Sequence, residues 1–306
     1  MHLTRIIPLC IALATASALA RSPLEHLHNP NWGENPADTR ASIESSADRT
    51  EFYTIKAPSL PLASESESYL VAHNLITTGN EQIERVTYTF ADDTLVMITA
   101  TGNAIDALIE SPRDLPTRIG NWRLSSDMSI VMHRSTDTVT ILSDYAKHPH
   151  LFLWAIPEPN ASPATDRRNA TVPDLFTFGA NRRNLEPAIK ALATVTTRER
   201  IDPPTLPTQP KRQTQINAYG FEYMGVPRKV EAIFADDKLA LVWVLTGKGE
   251  EDRLRTALTE SYGEPIFVSD TIEAFNDWTV ALRKDKPEVL AIAPELIPMM
   301  KSFFGG

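Results

Sequence analysis

The chain has 306 residues, which is enough for one large domain or two small ones, each with an apolar core of its own. Hydrophobic residues make up 42% and charged residues 23%, a balance typical of a globular protein. The net charge of −9 argues against a nucleic-acid-binding protein, because such a protein needs a basic face to neutralise phosphates.

Residues 1–20 have the pattern of a secretory signal peptide. A short start with Arg5 precedes an apolar run, and Ala18-Leu19-Ala20 then supplies the small residues that signal peptidase requires. We expect cleavage between Ala20 and Arg21 and a periplasmic or secreted protein without a transmembrane segment. The only cysteine, Cys10, lies in the signal, so the mature chain would have neither a disulfide nor a thiolate-bound metal.

The first unit is predicted to begin after a polar arm. Residues 21–50 are aperiodic and contain too little apolar surface to offset the entropy of ordering the chain, so we interpret them as flexible. The first unit, residues 51–156, contains an alternating stretch, an Ala-Asp-Asp turn and an apolar stretch. This order predicts a β-hairpin.

The hairpin pattern occurs twice. Arg85–Leu95 and Lys229–Leu239 are identical at six of eleven positions, and both contain Phe-Ala-Asp-Asp. Each copy is followed by Thr-Gly and a helical pattern, around Ile105–Ile109 in the first and over Glu250–Gly263 in the second. Two more strand-like runs follow, SIVMHRS and TVTILS in the first copy, TIEAF and WTVALR in the second. The predicted fold is α+β, a tandem repeat of two small units, each an antiparallel sheet (hairpin, helix, further strands) packed against a helix.

Proline-rich segments separate the two units. Residues 157–183 are predicted to be a linker and residues 184–306 the second unit, which contains a further proline-rich connector at 202–212. A helix is predicted at the start of the second unit, with Asn184 as its N-cap and a buried stripe extending to Val195.

The repeated acidic pairs are interpreted as turn residues. A catalytic carboxylate pair needs a pocket that separates the two pKa values, whereas Asp92-Asp93 and Asp236-Asp237 occupy predicted hairpin tips. The chain also lacks the G-x-S-x-G and S-x-x-K patterns of nucleophilic enzymes. We therefore predict no catalytic residue and no cofactor.

Three aromatic residues are candidates for binding a partner. Tyr219, Phe221 and Tyr223 have the period-two spacing that places side chains on one face of a strand. They either pack in the core or form a face that holds a peptide or an apolar ligand.

A second candidate site is a metal site formed by Asp144, His148 and His150. Histidines at positions i and i+2 of a strand point the same way, which suits two ligands of zinc or copper. Pro149 lies between the two histidines, and the alternative is a solvated loop.

No motif identifies a biochemical activity. The favoured hypothesis is an exported bacterial envelope protein that acts as a non-catalytic binding or scaffold module for an unknown protein or envelope ligand. Two alternatives remain open, a periplasmic hydrolase that uses a metal or another site, and a carrier that holds a small ligand in the cleft between the units.

Overall fold

The computed structural model of the chain describes residues 22–55, 57–160 and 169–305. The predicted signal peptide, its cleavage site and the middle of the predicted linker lie outside these residues. The described part of the chain contains two antiparallel sheets of eight strands each, together with short helices.

The first unit comprises eight strands and four helices. The strands are β1 (Arg49–Ile55), β2 (Glu67–Ile76), β3 (Gln82–Ala91), β4 (Thr94–Thr101), β5 (Thr117–Ile119), β6 (Trp122–Leu124), β7 (Ile130–His133) and β8 (Thr138–Leu142). The helices are α1 (Pro23–His26), α2 (Pro36–Ile43), α3 (Ala104–Leu108) and α4 (Asp144–Lys147). The order of strands in the sheet is β1-β2-β3-β4-β8-β7-β6-β5.

The second unit repeats this plan. Its strands are β9 (Val195–Ile201), β10 (Gln213–Tyr223), β11 (Val226–Ala235), β12 (Lys238–Leu245), β13 (Phe267–Val268), β14 (Ile272–Phe275), β15 (Val280–Arg283) and β16 (Glu288–Ile292). Its helices are α5 (Arg182–Leu192), α6 (Glu251–Tyr262) and α7 (Ile297–Phe304). The strand order β9-β10-β11-β12-β16-β15-β14-β13 matches that of the first sheet. The prediction of two similar α+β units is therefore confirmed.

The two Phe-Ala-Asp-Asp hairpins have the same register. Phe90 pairs with Leu95, and Phe234 pairs with Leu239, each directly after an irregularity in the ladder. Both phenylalanine rings are fully buried. The two positions are therefore equivalent core positions, as the sequence comparison predicted.

The acidic pairs form the tips of these hairpins. The φ angles are 47° at Asp92, 60° at Asp93, 47° at Asp236 and 65° at Asp237. Positive φ at both central residues defines the type I′ turn, whose twist matches that of the two flanking strands. The pairs are thus turn residues in both units.

The repeat begins earlier in the chain than predicted. Gly33 donates its N–H to Leu95 O at 3.4 Å, and Gly179 donates to Leu239 O at 2.9 Å. Both glycines have positive φ, and each is followed two residues later by an asparagine that caps the next helix, α2 or α5. The tripeptides Gly-Glu-Asn and Gly-Ala-Asn therefore hold the hairpin of their own unit in the same way.

The prediction of a flexible polar arm over residues 21–50 is wrong for residues 22–50. Helices α1 and α2 lie in this segment, and the side chains of Leu27 and Ile43 are fully buried among residues of the first sheet. The prediction from composition failed because two buried aliphatic side chains and capped helices are sufficient to order this segment when it packs against a sheet.

Two further details of the predicted repeat are wrong. Helix α5 is capped by Asn181 instead of Asn184, and it ends at Leu192, so Val195 lies in β9 and not in the helix. TIEAF forms β14, which corresponds to β6, so the counterpart of TVTILS in β8 is β16, a strand that the prediction missed. Strand β16 is short and follows a charged turn, which weakens its pattern in the sequence.

Each sheet has an apolar cluster on both faces. We call the face that carries Phe90 or Phe234 the front face, and the face that carries Met97 or Leu241 the back face. Residues of α3 and α6 belong to the clusters on the front faces. On the back face of the second sheet the cluster includes Met300 of α7.

Candidate functional site

A groove of about 540 Å³ lies on the back face of the second sheet. Its walls are strands β9–β12 and helix α7. Its apolar lining consists mainly of Ile233, Leu241, Trp243, Met299, Phe303 and Phe304. This volume lies within the range of roughly 300–1,000 Å³ that small-molecule sites occupy, and such sites have a predominantly apolar lining.

The pairing of the strands explains why these side chains face the groove. Gln215 pairs with Ile233, Ile233 pairs with Leu241, and Glu231 pairs with Trp243. Directly paired residues of an antiparallel sheet lie on the same face, and their neighbours along each strand lie on the other. The sheet therefore presents a row of apolar side chains with Gln215 at one side and Glu231 near Trp243.

Helix α7 provides the opposite wall. Met300 is buried against the sheet, whereas Phe303 is 76% exposed at the mouth of the groove. The helix ends at Phe304, and Gly305, whose φ is 78°, is its left-handed C-cap. An exposed ring that continues an apolar lining is typical of a binding surface.

One end of the groove is polar. The guanidinium of Arg283 lies 5.6 Å from the centre of the Trp243 ring and 5.7 Å from that of Phe304. It also binds Asp285 at 2.6 Å and Glu288 at 3.3 Å. The cation is thus held between two rings and two carboxylates, which fixes the shape of this end.

The carboxyl of Glu288 has an unusual proton affinity. Burial raises its pKa to about 7, and the negative charges of Glu231 and Asp285 act in the same direction while Arg283 opposes them. Its side chain is 13% exposed. Glu288 is therefore close to half protonated near neutral pH, next to the polar end of the groove.

The corresponding place in the first unit is filled. Leu60 N–H donates to Glu67 Oε2 at 2.7 Å, and Leu206 N–H donates to Gln213 Oε1 at 2.9 Å, which identifies Glu67 and Gln213 as equivalent. Two residues further along each strand are Tyr69 and Gln215. A buried tyrosine ring in the first unit thus stands where the second unit has a glutamine beside the groove.

Aromatic contacts hold Tyr69 in place. Its ring stacks on Tyr53 with centroids 5.1 Å apart, and its hydroxyl accepts a hydrogen bond from Trp154 Nε1 at 3.1 Å. The hydroxyl donates to Glu67 Oε1 at 2.5 Å. Tyr69 is fully buried, and burial together with the Glu67 charge raises its pKa far above the ordinary value.

The structure does not place Tyr219, Phe221 and Tyr223 on one surface. Gly220 has a φ of 72°, and the ladder between β10 and β11 shifts register between Tyr219 and Phe221. Phe221 and Tyr223 pack in the front-face cluster of the second sheet, whereas Tyr219 packs in the back-face cluster of the first. All three are at most 6% exposed, so they pack in the core, the first of the two alternatives, and do not form a single face for a partner.

Asp144, His148 and His150 do not converge on one point. Asp144 forms an ion pair with Lys147 at 2.7 Å, and its side chain is 91% exposed. His148 Nε2 lies 3.1 Å from Pro287 O of the second unit, whereas His150 is buried against Tyr219. Burial lowers the pKa of His150 to about 3. Within residues 22–55, 57–160 and 169–305, no group of three or more His, Cys, Asp or Glu is arranged to hold a metal ion.

The groove was not predicted from the sequence. The available signal was the run of apolar residues in IPMMKSFF near the end of the chain, together with the single tryptophan in KLALVWVL. Neither run has a polar motif that would have marked it as a site. Only the packing of α7 across the sheet brings the two together.

Comparisons of this chain with protein-family models, with curated proteins and with solved structures find no match. In the part of the chain that the structure describes, no helix combines the length and the hydropathy that crossing a membrane requires.

Proposed function

We propose that this chain is an exported protein of the bacterial envelope that works by binding, without catalysis, and that the groove of its second unit holds the ligand. Export rests on the signal-like pattern of residues 1–20. The groove carries the binding part of the proposal, because an apolar lining with an exposed aromatic ring is costly to leave in water. We also take α3 and α6 to be the covering helices of their sheets, which would keep the groove walls rigid.

The expected ligand is a small amphipathic molecule with an apolar body. Two methionines and three aromatic rings line the groove, and such side chains adapt to apolar groups of differing shape. The polar end, with Arg283 and Glu231, would bind the head group of the ligand. Insertion of a side chain from a protein partner is the competing mode of binding.

A hydrolase is the second candidate, and one observation favours it. Glu288 and Glu231 are neighbouring carboxyl groups, and the raised pKa of Glu288 suits a general acid. Against this, Glu231 is bound to Lys229 at 2.5 Å, and Glu288 is bound to Arg283. Recovery of an unaltered ligand after prolonged incubation would favour binding, whereas turnover that is lost in Glu288→Gln would establish the enzyme.

The binding proposal can be tested with anilinonaphthalene sulfonate, an amphipathic fluorescent probe. The wild-type protein should bind the probe saturably. Gln215→Tyr places in the groove the ring that fills the first unit, and Phe303→Ser removes the exposed ring of the lining. Each variant should weaken binding about tenfold, which corresponds to 1.4 kcal/mol.

The matched control is Phe52→Ser, because Phe52 is also exposed but lies on β1 of the first unit. It should bind the probe like the wild type. Equal affinities in all four proteins, or the absence of saturable binding, would contradict the proposal. Probe binding lost only in Phe303→Ser would favour a protein partner that docks on α7 outside the groove.

A further inference from the structure

Three arginines line a cleft of about 250 Å³ on the front face of the first sheet, separate from the groove. Arg118 of β5 pairs directly with Arg123 of β6, and Arg123 pairs with Met132 of β7. Direct pairing places all these side chains on one face. Arg134 follows immediately after β7, and Met132, which is buried, forms the floor of the cleft.

Among the described residues, the three guanidinium groups have no carboxylate partner. Among the residues that the structure describes, none of them takes part in an ion pair, although the chain contains 39 acidic residues. Arg118 Nε instead donates to Gly120 O at 3.2 Å. Like charges directly opposite each other on a sheet are destabilising. An arrangement of like charges that costs stability, and that no carboxylate of the described residues neutralises, favours an external anion.

The second unit shows how the same position is neutralised. Glu273 of β14 pairs with Leu282 as Arg123 pairs with Met132, so Glu273 and Arg123 are equivalent. Glu273 is 3% exposed and is bound by Arg255 of α6 at 2.8 Å and by Lys284 at 3.4 Å. In the second unit the chain thus supplies both the buried carboxylate and the basic side chains that neutralise it.

The difference in helix length leaves the cleft open. Helix α6 spans twelve residues and reaches β14 and β15, whereas α3 spans five and packs on β3 and β8. The main contacts of α3 are therefore with strands in the middle of the first sheet, whereas those of α6 are with the strands that correspond to β6 and β7. Arg118 and Arg134 are exposed at the rim, and Arg123 is half-buried below them.

We propose that this cleft binds a phosphate-bearing anion. A guanidinium presents a planar fork of donors that binds phosphate oxygens in pairs. Three forks offer more donors than the two oxygens of a single carboxylate can accept, whereas phosphate groups have three or more. Asn121 and Ser135, which also line the cleft, add an amide and a hydroxyl donor. The phosphate belongs either to a soluble compound or to the head group of an anionic lipid.

Two arms of one experiment distinguish these sources. Inorganic pyrophosphate is titrated into the purified full chain by calorimetry, and vesicles of phosphatidylglycerol or of phosphatidylcholine are tested by co-sedimentation. Arg118→Gln and Arg123→Gln should each weaken binding about tenfold, because each removes a charge-assisted bidentate contact. Arg183→Gln is the matched control, since Arg183 is exposed, lies outside the cleft and carries the same charge. It should change the affinity less than about twofold.

Pyrophosphate binding that depends on Arg123 supports a site for soluble phosphate compounds. Co-sedimentation with phosphatidylglycerol alone, also dependent on Arg123, supports a lipid head group. Absence of binding in both arms would overturn the proposal. Equal weakening by Arg123→Gln and Arg183→Gln would also overturn it, because only the total charge would then matter.

Discussion

The two units have the same strand order, but the second has a groove on its back face and the first has a cleft on its front face. On the back face, the first unit buries Tyr69 where the second unit has Gln215 beside the groove. On the front face, the second unit buries Glu273 under Arg255, where the first unit exposes the arginine cleft. Two units with the same fold thus do not have the same site, because the groove and the cleft each depend on a few side chains, and the cleft depends also on the length of one helix.

The largest effect expected is the loss of a buried phenylalanine at the matched hairpin positions. Phe90→Ala and Phe234→Ala should each cost about 3–5 kcal/mol of unfolding free energy, because both rings are fully buried. Urea denaturation followed by circular dichroism measures the loss. A cost below about 1 kcal/mol for only one of them would show that the two positions are not equivalent in energy.

The second largest loss of stability is expected when the Tyr69 ring, which fills the back face of the first unit, is removed. Tyr69→Gln copies the residue of the second unit and removes a buried ring with its bonds to Glu67 and Trp154. We expect a loss of about 2–4 kcal/mol, since the removed ring leaves a cavity and the buried Glu67 carboxylate loses one of its hydrogen bonds. The same denaturation assay applies, with Tyr145→Gln as control because Tyr145 is 55% exposed. Unchanged stability of Tyr69→Gln would mean that the aromatic filling of the first unit is not structural.

Stability should depend on the protonation of Glu288. Its folded pKa of about 7 exceeds the ordinary 4.5, so between these values the folded chain keeps a proton that the unfolded chain has lost. The stability of the wild type relative to Glu288→Gln should therefore fall as pH rises from about 4.5 to about 7, by at most about 3 kcal/mol.

The comparison with Glu288→Gln removes other titrations from the result. His150, whose pKa is lowered by burial, changes stability in the opposite direction over part of this range, but it does so equally in both proteins. Denaturation midpoints at several pH values give the difference. A difference that is independent of pH would show that folding does not shift the pKa of Glu288.

The smallest effect concerns the arginine cleft without ligand. Arg118→Gln or Arg123→Gln should raise stability by a few tenths of a kcal/mol, because each removes the repulsion between directly paired like charges. Thermal unfolding at low salt is the measurement, and the gain should shrink at high salt as the repulsion is screened. A loss of stability in both variants would indicate that the arginines are partnered within the fold.

Local sequence was sufficient to predict the repeat. The Phe-Ala-Asp-Asp hairpins, helix α6 and the similarity of the two units follow from alternation, turn residues and helix-capping signals, which are properties of neighbouring residues. The same local patterns failed at residues 22–50, where packing on the sheet orders a polar segment. They also failed at Tyr219, where one glycine in a bulge turns the side chain to the other face.

Only the tertiary structure determines where the groove and the arginine cleft lie. Trp154 binds Tyr69 from 85 residues away, and α7 closes over strands that precede it by a whole helix and four further strands. The cleft exists because α3 is shorter than α6, a difference that matters only once both helices lie beside equivalent strands. Alternation along a strand determines which side chains share a face, but distant segments determine whether that face is covered, and this contact information is not contained in any local pattern.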